Sequence, residues 1–337
     1  MASVAYVDPG NFATNFAGGA EQGYELVWVI VMANLMAIGV QYLTSKAGLA
    51  TGQSLPELCR DRFSRRVNAL LWLQAEVVAM ATDLAEFVGA AVGLNLVFGV
   101  PLFPVGLITA LVAFVILGLT VAIIGATVMP HVVYLHSALH KDRVRTAGWR
   151  ERRTLLTLSK WDCITALGIA GVVNLSMLCI AAALFHKRGL ASVSNLGPVH
   201  AYLATLAGGG AALAFGIALM ASGLSSSSVG TYAGQVVMAG FMNWRMPPLA
   251  RRALTMLPSL IVLAFAVNTS QALVYCQIVL SFGIPFALIP LLAITRDRRI
   301  MSDMVNRRLT STLMLLITVI VTGLNLYLLY GAGRSLL

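Results

Sequence analysis

The sequence has few charged residues and no long polar stretches. Only 11% of its 337 residues are charged, whereas 58% are hydrophobic and the mean hydropathy is +0.84. Globular proteins carry roughly a quarter charged residues. Apolar stretches of about 20 residues recur along the chain, which is typical of an integral membrane protein built from helices. The short alternating pattern of a membrane β-barrel is missing.

Cysteine pairs and catalytic zinc motifs are also missing. No C-x-x-C pair occurs, so the sequence predicts neither a zinc site nor a disulfide framework, and we interpret the cysteines as packing residues. They are Cys59, Cys163, Cys179 and Cys276. The absence of H-E-x-x-H argues against an intramembrane metalloenzyme. We expect no signal peptide, because residues 2–7 are already apolar and lead directly into a polar break.

The net charge of +10 arises from cations that are concentrated between apolar segments. Basic residues in short loops mark the cytoplasmic side of a membrane protein. The charge therefore predicts topology, and we expect no binding to nucleic acid. Four basic connections, all expected on the cytoplasmic side, cover 46–66, 141–160, 245–252 and 296–308.

Ten apolar segments predict membrane-spanning helices, of which the first and the fifth are broken. They cover 1–18, 25–45, 69–99, 101–119, 120–139, 163–186, 201–241, 253–268, 272–295 and 310–331. We count 201–241 as one crossing with a polar second half from Ser225 to Tyr232.

The number of spans conflicts with the charge pattern at one place. Three spans separate the first basic connection from the second, and an odd number would put these two connections on opposite sides. Residues 101–139 also run apolar without a polar turn, although antiparallel spans need a connection of several residues. We therefore predict that one helix is missing near Leu119 and Thr120.

Two helix-breaking sequences carry most of the functional signal. Asp8-Pro9-Gly10-Asn11 puts a carboxylate beside two residues that break helices, and Met129-Pro130-His131 interrupts the segment 120–139. Irregular backbone within a bilayer is tolerated only inside protein or beside a water-filled cavity. A charged residue there predicts a substrate or ion site. The alternative is an ordinary turn at a helix end.

These breaks offer a mixed set of metal ligands. Asp8 and Asn11 provide oxygens, Met129 provides a thioether sulfur, and the breaks free backbone carbonyls near Ala5 and Ala126. Mg²⁺ and Ca²⁺ take oxygen ligands, whereas softer ions such as Mn²⁺, Fe²⁺, Co²⁺ and Cd²⁺ accept sulfur. Met129 could equally fill space in the core, since the chain contains 14 methionines.

A second group of polar residues lies in the segment 69–99. Glu76, Asp83 and Glu86 are spaced to share one helical face. Acids within a bilayer often mark a proton or ion path. Basic partners could come from Arg143 and Arg252.

The remaining polar residues within spans are less specific. His131 titrates near neutral pH and could be a ligand, a proton acceptor or a structural residue. Gln277 and Asn174 could complete a coordination shell or form hydrogen bonds between helices. We expect the other histidines in contact with solvent at span ends and in loops: His136, His140, His186 and His200.

Taken together, the two breaks and Asp83-Leu84-Ala85-Glu86 resemble the Nramp family of divalent-metal transporters, most closely its bacterial manganese transporters. The flanking sequences Ala5-Tyr6-Val7 and Gly125-Ala126-Thr127-Val128 agree, and the resemblance covers essentially the whole chain. It implies an all-α integral membrane protein with the LeuT-type fold, two inverted five-helix repeats and an eleventh helix. The family's fifth helix would be the missing one, and the front of the first helix would lie before Met1.

On this basis we expect a single transmembrane domain over 1–337. Its parts would be an incomplete first repeat, a second repeat and an extra helix, at 1–119, 120–295 and 310–331. The resemblance implies proton-coupled import of Mn²⁺, and also of Fe²⁺, Co²⁺ and Cd²⁺, by alternating access across a bacterial cytoplasmic membrane. It implies no enzymatic activity and no resident cofactor, with metal ions, protons and lipid as partners, and we expect a monomer.

The resemblance also assigns roles to residues. It implies that the metal binds Asp8, Asn11, Met129, the carbonyls of Ala5 and Ala126, and in some conformations Gln277. It implies a proton route through His131, Glu86, Asp83, Arg143 and Arg252. We include Glu76 in this route as well, although its position near one end of its span would also suit an interfacial residue. Two alternatives stay open: a LeuT-type amino-acid transporter, whose substrate carboxylate Asp8 would repel, and a receptor that binds metal without transporting it.

Overall fold

The computed structural model describes residues 7–120, 133–139, 149–190, 195–244, 246–265 and 268–335. Within these ranges the protein consists of helices and their connections, with no β-strand. The helices are α1 (Pro9–Gln22), α2 (Val27–Thr51), α3 (Leu55–Arg62), α4 (Arg65–Phe98), α5 (Leu102–Thr120), α6 (Trp149–Leu184), α7 (Leu196–Leu206), α8 (Gly209–Met242), α9 (Pro248–Ala264), α10 (Thr269–Arg296), α11 (Arg298–Met301) and α12 (Arg308–Ser335). A further helical segment covers 133–139.

Six of the helices in the described ranges are long and apolar enough to cross a membrane, namely α2, α4, α6, α8, α10 and α12. The predicted spans 25–45, 69–99, 101–119, 272–295 and 310–331 each correspond to one helix. This agreement follows from the length of a membrane helix, because about 20 apolar residues are needed to cross the hydrocarbon core.

The predicted single span 201–241 is wrong at its start. Helix α7 ends at Leu206 and α8 begins at Gly209, because Gly208 adopts a φ of 93°, which interrupts a right-handed helix and suits glycine. Helix α6 begins at Trp149 instead of 163, and α9 covers Pro248–Ala264 instead of 253–268. Hydropathy marks the apolar part of a helix, and polar end turns continue beyond it.

The described parts of the four basic connections lie together at one end of the molecule. Arg62 Nη2 is 2.7 Å from Asp297 Oδ2, which joins the first connection to the fourth. Arg60 donates a hydrogen bond of 2.8 Å to the last turn of α8, and Arg152 donates one of 3.4 Å to the last turn of α2. This region, defined by the described parts of the four connections, is called the basic end below. The placement of these parts is consistent with the prediction that the connections share one side, which for residues 141–148 and 245 stays a prediction.

Helices α4 and α8 pack closely because glycines line their contact. A Cβ at Gly93 would lie 2.5 Å from the backbone nitrogen of Met220, and a Cβ at Gly223 would lie 2.5 Å from the carbonyl oxygen of Glu86. Small residues allow membrane helices to approach to backbone contact. The packing therefore sets α8 directly against the acidic face of α4.

Two predictions about individual side chains have different outcomes. All four cysteines are free thiols, and all but the partly buried Cys179 are fully buried, as expected for packing residues. Burial also raises the pKa of the Cys59 thiol. The expectation that His136 contacts solvent is wrong. Its side chain is buried, with Nδ1 2.7 Å from Gln41 Oε1, because the segment 133–139 packs against α2 and α3.

Candidate functional site

Seven of the twelve predicted site residues belong to the described part of the chain, and these are Asp8, Asn11, Glu76, Asp83, Glu86, Arg252 and Gln277. The other five, Ala5, Ala126, Met129, His131 and Arg143, lie outside the described residues. For the first break, the structure therefore describes the residues from Val7 onward. The second break lies outside the described residues.

Asp8 is a buried helix cap at the first break. Its backbone is extended, with φ −86° and ψ 163°, and α1 begins at Pro9. The carboxylate accepts hydrogen bonds from the backbone N–H groups of Gly10 and Asn11, both at 3.1 Å. Only 1% of the residue is exposed. An acid at a helix N-terminus satisfies orphan N–H groups and interacts favourably with the helix dipole, which explains how a bilayer-buried carboxylate is tolerated here.

Gln277 of α10 lies directly against this carboxylate. Its Nε2 donates a hydrogen bond of 2.6 Å to Asp8 Oδ2. The approach depends on Gly10, because a Cβ at that position would lie 1.8 Å from Gln277 Nε2. The structure thus brings together two predicted ligands that are 269 residues apart in the sequence.

A cavity of about 400 Å³, lined by Gln277 and Asn11, lies between α1, α2, α6, α10 and α12. Most of its wall is apolar, and its polar lining residues are neutral: Asn11, Asn15, Asn34, Asn174, Gln277 and Ser281. Asn15 Nδ2 donates to Asn174 Oδ1 at 3.1 Å, so this predicted amide bonds between helices. The described residues contain no group of three or more His, Cys, Asp or Glu side chains that could hold a metal. A cation here would therefore depend on Asp8 for charge and on amide and carbonyl oxygens.

Asp83 and Glu86 form a pair of buried carboxyl groups on α4. They are 5% and 1% exposed. A Cβ on Gly230 of α8 would lie 2.5 Å from Asp83 Oδ1 and 2.9 Å from Glu86 Oε2, so these two oxygens are at most 5.4 Å apart. Neither oxygen has a hydrogen-bond partner within the described residues. Unpartnered buried oxygens are unusual and call for a ligand, a water molecule or a proton.

Glu76 has a different environment, since it forms an ion pair with Arg251 of α9, Nη2 to Oε1 2.5 Å. Arg251 was missed by the sequence reasoning, and it is only 1% exposed. Its guanidinium lies against Gly234 of α8. The available signal was the doublet Arg251-Arg252, two adjacent cations at the start of an apolar helix.

Arg252 is held by α8. Its Nη1 donates to the Ser227 carbonyl at 2.9 Å and to Thr231 Oγ1 at 3.0 Å, and its Nη2 donates to Ser227 Oγ. It also interacts electrostatically with Asp83 and Glu86. This placement puts Arg252 near the acidic pair, and its part in a proton route stays a prediction.

The acidic pair begins beside the first break. Gly89, one turn beyond Glu86, contacts Pro9, since a Cβ there would lie 2.0 Å from Pro9 Cβ. Ser222 of α8 donates a hydrogen bond to the Val7 carbonyl just before Asp8. From Glu86 the polar groups continue along α4 toward the basic end, where that helix starts.

Long apolar helices around a buried carboxylate, a cavity lined in part by amides, and paired charges define a multi-pass membrane protein with a polar site between its helices. The chain belongs to the Nramp family, because the family model described as natural resistance-associated macrophage protein-like matches residues 1–121 and 117–331. Members of this family are metal transporters and not enzymes.

Relatives of known type cover nearly the whole chain. It is 43% identical to the divalent metal cation transporter MntH of Deinococcus radiodurans, over 98% of this chain and 88% of that protein. It is 40% identical to the divalent metal cation transporter MntH of Bacillus subtilis, over 99% and 91%. A crystal structure of a mutant manganese transporter from Eremococcus coleocola superposes with a TM-score of 0.85 at 27% identity, covering 97% of this chain and 84% of that one.

In the alignments with the family model and with the relatives, this chain is interrupted. The family matches in two pieces that overlap at 117–121. The alignment with the Deinococcus protein has 383 positions, which exceeds the 337 residues of this chain by 46, so at least that many positions are gaps in this chain. The two pieces join at the place where the sequence predicts a missing helix.

Proposed function

We propose that this protein imports Mn²⁺ and related divalent transition-metal ions, including Fe²⁺, Co²⁺ and Cd²⁺, across a bacterial cytoplasmic membrane. Import is by proton symport with alternating access, and the protein acts as a monomer. The observation that carries this proposal is the buried Asp8 at a helix break, beside Gln277, which also lines a cavity that contains several neutral polar side chains. The relatives' description as divalent metal cation transporters supports it.

In this proposal the metal binds between the two breaks. Asp8 supplies the charge, Asn11 and Gln277 supply amide oxygens, and the carbonyls of Ala5 and Ala126 complete the oxygen set, while Met129 adds the sulfur. N–H donors occupy the Asp8 oxygens in the described structure, so metal binding requires Gln277 to turn its amide oxygen toward the ion. The sulfur favours soft transition metals over Ca²⁺ and Mg²⁺.

Uptake of Mn²⁺ into proteoliposomes, with Ca²⁺ as the comparison ion, tests the function. Saturable Mn²⁺ uptake without Ca²⁺ uptake is expected. Mn²⁺ binding without uptake would favour the receptor alternative, and absence of Mn²⁺ binding would contradict both.

Protons take a separate route in this proposal, from His131 at the second break through Glu86 and Asp83 toward the basic end, with Arg143 and Arg252 as the cations beside it. The support is the unpartnered pair of carboxyl oxygens that begins beside the Asp8 break and faces Gly230. Glu76 lies on the same helix, closer to the basic end, and forms an ion pair with Arg251. We regard it as the part of the route nearest the basic end.

Asp83→Asn is expected to lower Mn²⁺-driven proton flux by about 100-fold, since positioned proton-transfer groups contribute on that order. Mn²⁺ affinity should stay within about twofold because Asp83 is not a ligand in this proposal. Proton flux is followed with a trapped pH dye and affinity by calorimetry. Asp162→Asn on the exposed face of α6 is the matched control. Equal losses of proton flux and affinity would argue against a separate route.

We further infer that the LeuT-type arrangement lacks one crossing between α5 and the segment 133–139. Helix α5 starts away from the basic end, because Gly106 contacts Leu263 in the last turn of α9. Its 19 residues rise about 28 Å, which is enough to reach the opposite side. The segment 133–139 lies near the basic end, since Ser137 Oγ accepts a 2.7 Å hydrogen bond from Leu55 N. The residues between them, 121–132, are too few for two further crossings, each of which needs about 20 residues.

Insertion between Leu119 and Thr120 of a segment of the Deinococcus relative that supplies one membrane crossing is expected to increase Mn²⁺ uptake by about tenfold or more, because a complete bundle can close on both sides of the metal. Uptake is measured in proteoliposomes at equal protein content. A helix of the same length and of poly-leucine type serves as the control insertion. Equal uptake with and without the relative's segment would contradict the inference that a functional crossing is missing.

A further inference from the structure

The basic end carries a cluster of arginines from two separate connections. We propose that this cluster binds the headgroup of an anionic phospholipid at the membrane surface. The binding surface, called the arginine surface here, consists of Arg65 and Arg66 at the start of α4 and Arg298 and Arg299 at the start of α11. Nothing in the proposed transport mechanism uses these four residues.

One ion pair brings the two doublets together. Arg62 Nη2 lies 2.7 Å from Asp297 Oδ2, which fixes the end of α3 beside the start of α11. Asp297 also accepts a hydrogen bond of 2.8 Å from the backbone N–H of Arg299 and so caps α11. The doublet 65–66 follows Arg62 after a two-residue turn, and the doublet 298–299 follows Asp297 directly. A single ion pair thus holds the backbone of both halves of the arginine surface.

The arginine surface has an excess of positive charge that the described part of the chain does not neutralise. Residues 60–66 and 296–308 contain nine arginines and three aspartates. Two of those aspartates already pair, Asp61 with Arg60 and Asp297 with Arg62. Among the described residues none forms an ion pair with the four arginines of the surface, and all four are exposed.

The position of Arg65 and Arg66 is unfavourable for a second electrostatic reason. They open a helix of 34 residues whose first turn contains no acid. Cations are unfavourable at a helix N-terminus because the helix dipole is positive there. An anion held by the arginine surface would relieve both the mutual repulsion and the unfavourable dipole interaction.

Apolar surface beside the cluster identifies the anion as a lipid. Leu70 and Leu73 on α4 are 65% and 54% exposed, and they lie one to two turns beyond the doublet. Leu309 and Leu313 at the start of α12 are 82% and 55% exposed. The arginine surface therefore lies where the lipid-facing helices α4 and α12 leave the bilayer. Guanidinium groups bind phosphate in a bidentate manner, and basic residues at this depth attract anionic lipids.

Thermal unfolding of the detergent-solubilised protein tests the proposal. Phosphatidylglycerol at saturation is expected to raise the unfolding midpoint by about 5 °C relative to phosphatidylcholine. R65Q/R66Q and R298Q/R299Q should each lose most of this shift while keeping the wild-type midpoint in phosphatidylcholine. The matched control is K187Q/R188Q, an exposed basic doublet at the other end of the molecule, which should keep the full shift.

Four results would overturn the proposal. The first two are an equal shift with phosphatidylcholine and an undiminished shift in both arginine variants. The third is the same shift with inorganic phosphate alone, which would indicate a site for free phosphate. The fourth is loss of the shift in the control doublet as well, which would indicate that only total charge matters.

Discussion

Asp8→Asn is expected to reduce saturable Mn²⁺ uptake at least about 100-fold, because the carboxylate supplies the charge on which affinity for a divalent cation depends. The fold should survive this change. Asparagine caps helices as well as aspartate does, and its single amide oxygen can still accept from the N–H group of Asn11, although the hydrogen bond that Gly10 N–H donates to the second Asp8 oxygen would be lost. Uptake of Mn²⁺ and Ca²⁺ into proteoliposomes, together with the unfolding midpoint, measures both effects.

A matched control separates metal binding from helix capping. Asn268 caps α10 through hydrogen bonds from Ser270 N and Gln271 N at 3.1 and 3.2 Å. Asn268→Ala should cost about 1 kcal/mol of stability and leave the preference for Mn²⁺ unchanged. Wild-type Mn²⁺ uptake by the Asp8→Asn variant would place the metal site elsewhere, whatever the capping control shows.

Arg251→Leu is expected to lower the free energy of unfolding by about 3–5 kcal/mol, since removal of one partner of a buried ion pair leaves the other charge uncompensated. Arg251 is almost fully buried, and the Glu76 side chain is 17% exposed, so a value toward the lower limit is expected. The measurement is chemical unfolding in detergent. An exposed arginine provides the control, because Arg188→Leu should change stability by less than about 0.5 kcal/mol.

The double variant E76Q/R251L identifies the cause of that loss. Neutralising Glu76 removes the uncompensated charge, so the double variant should regain most of the stability that Arg251→Leu loses. If the double variant is as unstable as the single one, packing of the Arg251 side chain against Gly234 is the dominant contribution, and the ion pair is not.

The sequence determined the class of protein and the position of the break at Asp8, and it predicts a second break at Met129-Pro130-His131. Helices across a bilayer are long and apolar whatever they pack against, so hydropathy located most of them, including α4 and α12. The positive-inside rule also predicts a missing crossing near Leu119, because the basic connections must all lie on the same side of the membrane. The sequence identified Asp8 as a candidate ion-binding residue, because a carboxylate beside proline and glycine in an apolar segment indicates a substrate or ion site.

Tertiary structure alone decided which of these residues touch. The sequence did not distinguish Gln277 from the other amides within spans. The structure does, because α10 packs against α1 at Gly10 and brings Gln277 to Asp8. The sequence pointed to Arg252 as the partner of the acids, whereas the ion pair with Glu76 is made by Arg251. Adjacent residues on a helix point about 100° apart, so the rotation of α9 against α4 and α8 decides between them. That rotation depends on side-chain packing between helices far apart in the chain, which no local pattern specifies.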